Sequence, residues 1–326
     1  MSQPSVVRVA QLARGDTVEG LLLVESANFK QNRAGKPFLQ LTLRDQSGRI
    51  RALQWEADRA VYLSIRVNDV VHVKGRVEEF QGNRQVIVDA IKVLNPAEAP
   101  WHLFLPQPRT DPERLRTELR AAVEGVERPE LRDLLLGFLD DPEIGPALAE
   151  SPAGKTLHHA FRGGLLEHIV SIIGQARRLK EGWPELDLDL LIAGALLHDI
   201  GKIRELSCER GIQYTDPGQL VGHVALGLAM LREKLAELPA FPAETAMELE
   251  HLMVSHHGKI EFGALREPMT AEAIALHFLD NLDARLSAYF ALALEEQQSP
   301  YGENWTNVNA LFGTRLYRPE RLRRKD

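Results

Sequence analysis

The sequence predicts two domains of different class, a small antiparallel β domain followed by an all-helical one. Three observations carry this prediction. The chain has 326 residues, more than one ordinary core accommodates. Apolar and polar residues alternate from Thr17 to Leu94, whereas beyond Pro112 the apolar residues recur about every 3.6 positions. Between the two patterns lies a stretch crowded with proline.

The β domain consists of the runs VEGLLLVESANFK, KPFLQLTLRD, RIRALQW, DVVHVKGRVEEF and RQVIVDAIKVL. Turn-forming residues lie between runs at Asn32 to Gly35, Gln46 to Gly48 and Gln81 to Asn83. A short helical stretch, EADRAVYLSI, separates the third run from the fourth. Five strands with a helix after the third is the order of an OB-fold barrel.

The linker, NPAEAPWHLFLPQPRTDP, holds five prolines in 18 residues and suits neither a regular helix nor a central strand. Helical periodicity then marks segments near 112–125, 129–139, 164–181, 187–199, 220–236, 243–256 and 270–294. The expected boundaries are 1–95 for the barrel, 96–112 for the linker, 113–298 for the helical domain and 299–326 for a mobile tail ending in basic RLYRPERLRRKD.

Charge is divided unevenly. Residues 1–95 carry 14 basic and 10 acidic side chains, and the remainder carries 25 and 36, within a formal net charge of -7. A mildly basic part is thus tethered to an acidic one. Such a chain handles a polyanion if the basic part holds it and bound cations neutralise the acidic site. Cys208 is the only cysteine, which excludes an internal disulfide and a thiolate metal cage and suits a reducing cytoplasm. The opening residues, MSQPSVVRVAQLARGD, lack a basic flank followed by an apolar core, and no apolar stretch has the length of a membrane span, so neither secretion nor membrane insertion is expected.

The chemistry is concentrated in histidines and aspartates of the helical part. They are His168 in GGLLEHIV, His198 and Asp199 in ALLHDIGK, His223 in VGHVALG, His256 and His257 in VSHHGK, and Asp280 in HFLDNLDA. A lone helical histidine is more often a packed or surface residue than a ligand, and His72, His102, His251 and His277 are read that way. The others differ by context. LLHDIGK sets a polar pair at the end of the apolar run LDLLIAGALL, where burial without a partner would cost ~2 kcal/mol or more. A metal ion is an economical partner. Imidazole with carboxylate suits Mn²⁺, Fe²⁺, Co²⁺ or Mg²⁺ better than a structural zinc.

The order H…HD…H…H…D resembles the HD superfamily of metal-dependent phosphohydrolases. The resemblance implies His168, His198, Asp199, His223, His256 and Asp280 as ligands to two divalent ions, most readily Mn²⁺, with Asp199 bridging them. His257 could replace His256 or face the substrate. Asp283 reads as a supporting or surface acid. The OB-like domain together with HHAFRGGLLEH, LLHDIGK, SHHGKIEFGA and LHFLDNLDA is similar to the YhaM family of 3′ to 5′ exoribonucleases, over nearly the whole chain.

That resemblance implies hydrolysis of single-stranded RNA, and conceivably single-stranded DNA, from the 3′ end to nucleoside 5′-monophosphates. Lys202, three residues after Asp199, is placed to meet a phosphate oxygen or to lie solvated past a helix end. His158 and His159 precede the first ligand and could touch substrate or protonate the leaving oxygen. In the barrel, Phe29, Phe38, Trp55, Tyr62 and Phe80 are interleaved with basic residues that include Lys36, Arg51 and Arg76. Single-strand binding needs aromatic faces and a basic groove, and Phe38 and Trp55 are the expected stacking pair. Two other functions fit parts of the pattern: an HD-type hydrolase of a dNTP, cyclic nucleotide or alarmone, and a non-enzymatic single-strand binder. The acidic helical surface and linker are compatible with a homo-oligomer.

Overall fold

In a computed structural model, residues 6–100, 103–104, 110–155, 159–208, 211–294, 299, 301–309 and 311–323 are described. The chain divides into two compact units, residues 1–106 with 209–211 and residues 107–208 with 212–326.

In the first unit the alternating runs become five strands: β1 (Thr17–Gln31), β2 (Pro37–Arg44), β3 (Arg49–Trp55), β4 (Val70–Phe80) and β5 (Asn83–Val93). They close in the order β1-β2-β3-β5-β4, all antiparallel except for the β3–β5 pair. Closure leaves no free sheet edge to recruit another chain. Helix α1 (Arg59–Ser64), capped by Asp58, follows β3 as the sequence predicts. The inward set, including Leu22, Val24, Leu39, Leu41, Leu43, Val71, Val73 and Val86, is fully buried. Each such side chain contributes roughly 1.5–3 kcal/mol on burial. Register shifts at Val24/Ser26 in β1 and at Lys74/Gly75 in β4 supply the bends that closure needs.

The second unit is mostly helical. Its helices are α2 (Pro112–Glu124), α3 (Pro129–Leu139), α4 (Ile144–Glu150), α5 (Gly164–Gly182), α6 (Leu188–Leu197), α7 (Lys202–Glu205), α8 (Asp216–Leu220), α9 (His223–Ala236), α10 (Ala243–Ser255), α11 (Ala271–Leu294) and α12 (Glu320–Arg323). A short pair of strands, β6 (Leu206–Ser207) and β7 (Gln213–Tyr214), follows α7 within the expected helical class. One expectation needs correction: the C-terminal segment is not a free tail. Trp305 bridges to Tyr317, the Arg315 guanidinium lies over the Tyr301 and Trp305 rings, and buried Arg318 donates from Nε to the Ala293 carbonyl at 2.9 Å. Aromatic packing under the arginines was invisible to a reading based on charge alone.

Helix α6 organises this unit. It is apolar all round, so it is stable only in the interior, and every residue from Leu190 to Leu197 is buried. Asp187 caps its start by accepting from the Leu190 N–H at 3.0 Å. The buried faces of α5, with Ile169, Ile172 and Ile173, and of α11, with Leu276 and Leu279, belong to the same core. The polar pair His198–Asp199 therefore emerges at the end of the most deeply buried helix.

Candidate metal centre and nucleic-acid face

Five helices deliver the predicted residues to one place. His168 lies on the buried face of α5, His198 and Asp199 follow α6, and His223 opens α9. His256 and His257 follow α10, and Asp280 comes from the middle of α11. Asp199 is at the middle. On one side its Oδ2 lies 3.3 Å from His198 Nε2 and 3.8 Å from His168 Nε2, and His168 Nε2 is 3.2 Å from Asp280 Oδ1. On the other side its Oδ1 lies 3.4 Å from His223 Nε2 and 3.7 Å from His256 Nε2. His257 joins the second side, with its Nε2 3.1 Å from that of His223. His168, His198 and Asp280 each present a ligand atom within 4.8 Å of the others, as do His223, His256 and His257.

The far nitrogens explain why these atoms converge. His168 Nδ1 is 2.7 Å from Asp283 Oδ2, and His223 Nδ1 is 3.1 Å from Glu205 Oε1. His198 Nδ1 faces the Ala195 carbonyl at 3.0 Å, and His256 Nδ1 faces the Met253 carbonyl at 2.7 Å. A carbonyl only accepts, so Nδ1 of His198 and His256 carries a proton, and Nε2 is the atom each ring offers as a ligand. Those two Nε2 atoms and Asp199 Oδ1 are buried and make no hydrogen bond among the described residues. Buried polar atoms left so are costly, and a cation bound between them removes the cost. The donor set therefore fits divalent metal ions, held by imidazoles whose orientation is fixed from behind.

Electrostatics agree with this fit. Burial would raise the Asp199 carboxyl, but Lys202, His198 and His223 hold it well below the usual carboxylate range. Burial and the neighbouring His257 and His198 push His256 well down, so it is neutral. Burial also lowers His257, with His223 adding to the effect against the pull of Asp199. His168 is the exception. Burial would lower it, yet Asp280 and Asp283 lift it to about 9. Both aspartates are themselves held below the usual range against burial, Asp280 by His168 and His198, and Asp283 by His159, His168 and Ser171. Cys208, pushed up to about 11 by burial, is a protonated thiol at neutral pH.

Two glycines are required by close approaches here. A Cβ on Gly201 would stand 2.0 Å from the His223 carbonyl oxygen and 2.5 Å from the Gly227 nitrogen, so α7 seats against the start of α9 only with glycine. Gly258 has φ +78°, and a Cβ there would overlap the His277 ring at 2.2 Å. His277, discounted as a ligand, holds the His256 carbonyl at 2.7 Å from its Nδ1.

The remaining candidates are placed as follows. Lys202 is buried and donates to Asp199 Oδ2 at 2.6 Å. His159 lies behind His168. Its Nε2 is 3.0 Å from Asp283 Oδ2 and 3.0 Å from Ser287 Oγ, and its Nδ1 is 3.5 Å from Glu167 Oε1. Asp283 is buried, and it accepts from Ser171 Oγ at 2.5 Å and Gln175 Nε2 at 3.1 Å. His102 and His158 lie outside the described residues. Sequence reading missed Glu205, Ser171 and Gln175. The last two had a signal: they fall three and seven residues after His168 on the same helical face.

In the barrel, Phe38 and Trp55 are register partners across β2 and β3, with ring centroids 5.2 Å apart. Phe38 is half-buried and Trp55 exposed. Thr42 pairs with Arg51 further along, and Arg51 donates to Gln40 Oε1 at 3.4 Å. Phe29 and Tyr62 instead pack against the core. Lys36 and Arg76 are exposed and ion-paired, with Glu56 at 2.6 Å and Glu78 at 2.9 Å.

Comparison with known proteins matches an HD domain at residues 165–285 and an OB-fold nucleic acid binding domain at residues 17–94. The 3′-5′ exoribonuclease YhaM of Oceanobacillus iheyensis is 33% identical over 306 residues, covering 94% of this chain and 95% of that protein. The chain belongs to the YhaM family. The YhaM proteins of Bacillus subtilis, at 33% identity with 94% and 96% covered, and of Shouchella clausii, at 34% with 94% and 94% covered, align over the same extent. The YhaM match therefore spans both the barrel and the metal centre. Among the described residues, no helix is long and apolar enough to cross a membrane.

Proposed function

We propose that this protein is a metal-dependent 3′ to 5′ exoribonuclease that removes nucleoside 5′-monophosphates from single-stranded RNA. The observation that carries the reading is the Asp199 carboxylate, whose two oxygens face two separate donor sets. His168, His198, Asp280 and Asp199 Oδ2 would hold one divalent ion, and His223, His256, His257 and Asp199 Oδ1 a second. Both His256 and His257 are then ligands. The mixed imidazole and carboxylate donors favour Mn²⁺. When bound, such ions supply acidity for an attacking water and positive charge for the scissile phosphate.

The chain's own groups do the rest. Asp283 and Glu205 lock the rings of His168 and His223, so no reorientation is needed as charge develops. Lys202 holds a fixed positive charge beside Asp199 and is close enough to share it with a phosphate oxygen. His159, bonded to Asp283 rather than aimed into the centre, serves as support instead of as proton donor. In the barrel, the Phe38–Trp55 pair and Arg51 offer a stacking surface with a cation on the β2–β3 face, where OB folds bind oligonucleotides. Lys36 and Arg76, tied to acids, contribute weaker phosphate contacts.

A 5′-labelled single-stranded RNA, incubated in Mn²⁺ and in EDTA beside an Asp199→Ala variant, tests the reading. A ladder shortening from the 3′ end and absent from both controls is expected. Intact RNA with hydrolysed mononucleotides would move the assignment to a nucleotide phosphohydrolase, and tight metal-independent binding without cleavage to a single-strand binder.

A further inference from the structure

The side chains of the centre differ in how far solvent reaches them. His168, His198, Asp199 and His256 are buried, whereas the Asp280 and His223 side chains are 14% and 16% exposed and His257 is half-buried. The chain leaving His257, one of the more exposed members, forms a turn beside it. A Cβ on Gly263 would stand 3.7 Å from His257 Cδ2, so the end of the turn lies along that ring.

The turn is rigidly built. The Gly258 N–H donates to the Ser255 carbonyl at 2.8 Å, and the Lys259 N–H to that of His257 at 2.9 Å. The Phe262 and Ala264 N–H groups both donate to the Lys259 carbonyl, at 3.0 and 3.1 Å, and the Leu265 N–H donates to that of Val254 at 2.8 Å. Ala264 is buried beneath it. Against this fixed backbone, Ile260 and Phe262 are each 68% exposed. A flexible loop exposing a phenylalanine would ask for no explanation. A preordered one beside a phosphodiester-cleaving centre does, because ordering is already complete before a ligand arrives. Lys259 adds a cation to an otherwise acidic part of the chain, paired only weakly with Glu267 at 3.4 Å across solvent.

We propose that the turn from Gly258 to Ala264 seats the 3′-terminal nucleotide, with the Phe262 ring stacked on the terminal base and the Lys259 ammonium beside its phosphate. Stacking on a ring tolerates every base, as a trimming enzyme requires. The inference rests on the exoribonuclease reading, and Phe262 is a positioning residue in it.

The test uses the full chain with Mn²⁺ and a short single-stranded RNA carrying 2-aminopurine at its 3′ end. For Phe262→Ala, KM should rise about tenfold, with kcat falling less than threefold, and Phe262→Tyr should restore KM. The 3′-terminal 2-aminopurine should be quenched on binding to the wild-type and Tyr proteins and not to the Ala variant, while the same base at the 5′ end behaves alike in all three. Lys259→Gln should raise KM about fivefold and steepen no part of the fluorescence response. A KM for Phe262→Ala within twofold of wild type, with quenching retained, overturns the seat and leaves the exonuclease standing. If wild-type protein leaves the RNA intact, the exonuclease reading has failed. The quenching titration alone then decides whether the turn holds a base, and unquenched 2-aminopurine on the wild-type protein rejects it.

Discussion

The two halves of the metal centre solve the same problem with different chemistry. The His168 half carries its own counter-charge, since Asp280 and Asp283 flank one imidazole and raise it to about 9. The His223 half gathers three imidazoles around Asp199 Oδ1, with the Glu205 carboxylate behind His223 alone, and burial drives His256 and His257 towards neutrality. Buried nitrogens without a hydrogen bond among the described residues occur in both halves, His198 Nε2 in the first and His256 Nε2 in the second. The difference teaches that the two halves place their carboxylates differently, two around His168 and one behind His223, and that Asp199, facing both sides, is where they meet.

Removing Asp199 breaks the comparison altogether and should have the largest effect. Asp199→Ala is expected to lose on the order of 10³-fold or more in RNA hydrolysis, about 4 kcal/mol of barrier. Residual activity within tenfold of wild type would deny it a shared role. His257→Ala should sharpen the contrast by taking one half only. Titration of Mn²⁺ should then count one strongly held ion per chain instead of two, and an unchanged count would remove His257 from the ligand set. Next come the residues behind the ligands. Asp283→Asn and Glu205→Gln each leave the ligands in place but loosen one imidazole, a change worth 10–100-fold in metal affinity or activity. Asp283→Asn should weaken the first half and Glu205→Gln the second, and the two could be told apart by which ion is lost on dilution. Smaller again is the barrel. Phe38→Ala with Trp55→Ala should weaken single-stranded RNA binding roughly tenfold by lost stacking, without altering Mn²⁺ stoichiometry.

How much of this was legible in the sequence follows from what each residue depends on. Strand and helix positions depend on local alternation, and every expected run became an element. The short elements α4, α7, α8 and the β6–β7 pair escaped because two to seven residues carry too little periodicity to read. The convergence of the candidate ligands was legible because their order along the chain is distinctive. Their division into two halves was not, since whether His257 joins His223 depends on how α9 and α10 meet, a long-range fact. His159 illustrates the limit. Proximity to the first ligand suggested contact with substrate or a proton donor; the structure sets its Nε2 3.0 Å from Asp283 Oδ2, a partner 124 residues away that no local pattern foretells.

Asp141 provides the counter-example to Asp199 within the same unit, a depressed carboxylate that lacks nothing. The N–H groups of Ile144 and Glu143 each donate to its Oδ1 at 2.9 Å, and Lys234 Nζ is 2.9 Å from its Oδ2. The Ile144 N–H first, then Lys234 and the Glu143 N–H, lower its carboxyl to about 2. A carboxyl whose folded value lies below the ~3.9 of an unfolded chain adds stability that is present above that value and is lost as pH falls towards 2. The side chain is near the surface, so the contribution is about 1 kcal/mol, not the full linkage figure. Asp141→Asn should therefore lower unfolding stability in urea by that amount at pH 7. The gap should hold down to about pH 4, narrow below it, and be indifferent to Mn²⁺, whereas the deficit of any variant in the metal centre should grow with added metal. A gap that closed between pH 7 and 5 would assign the effect to a histidine and remove Asp141 as the satisfied reference against which the metal-dependent carboxylate is judged.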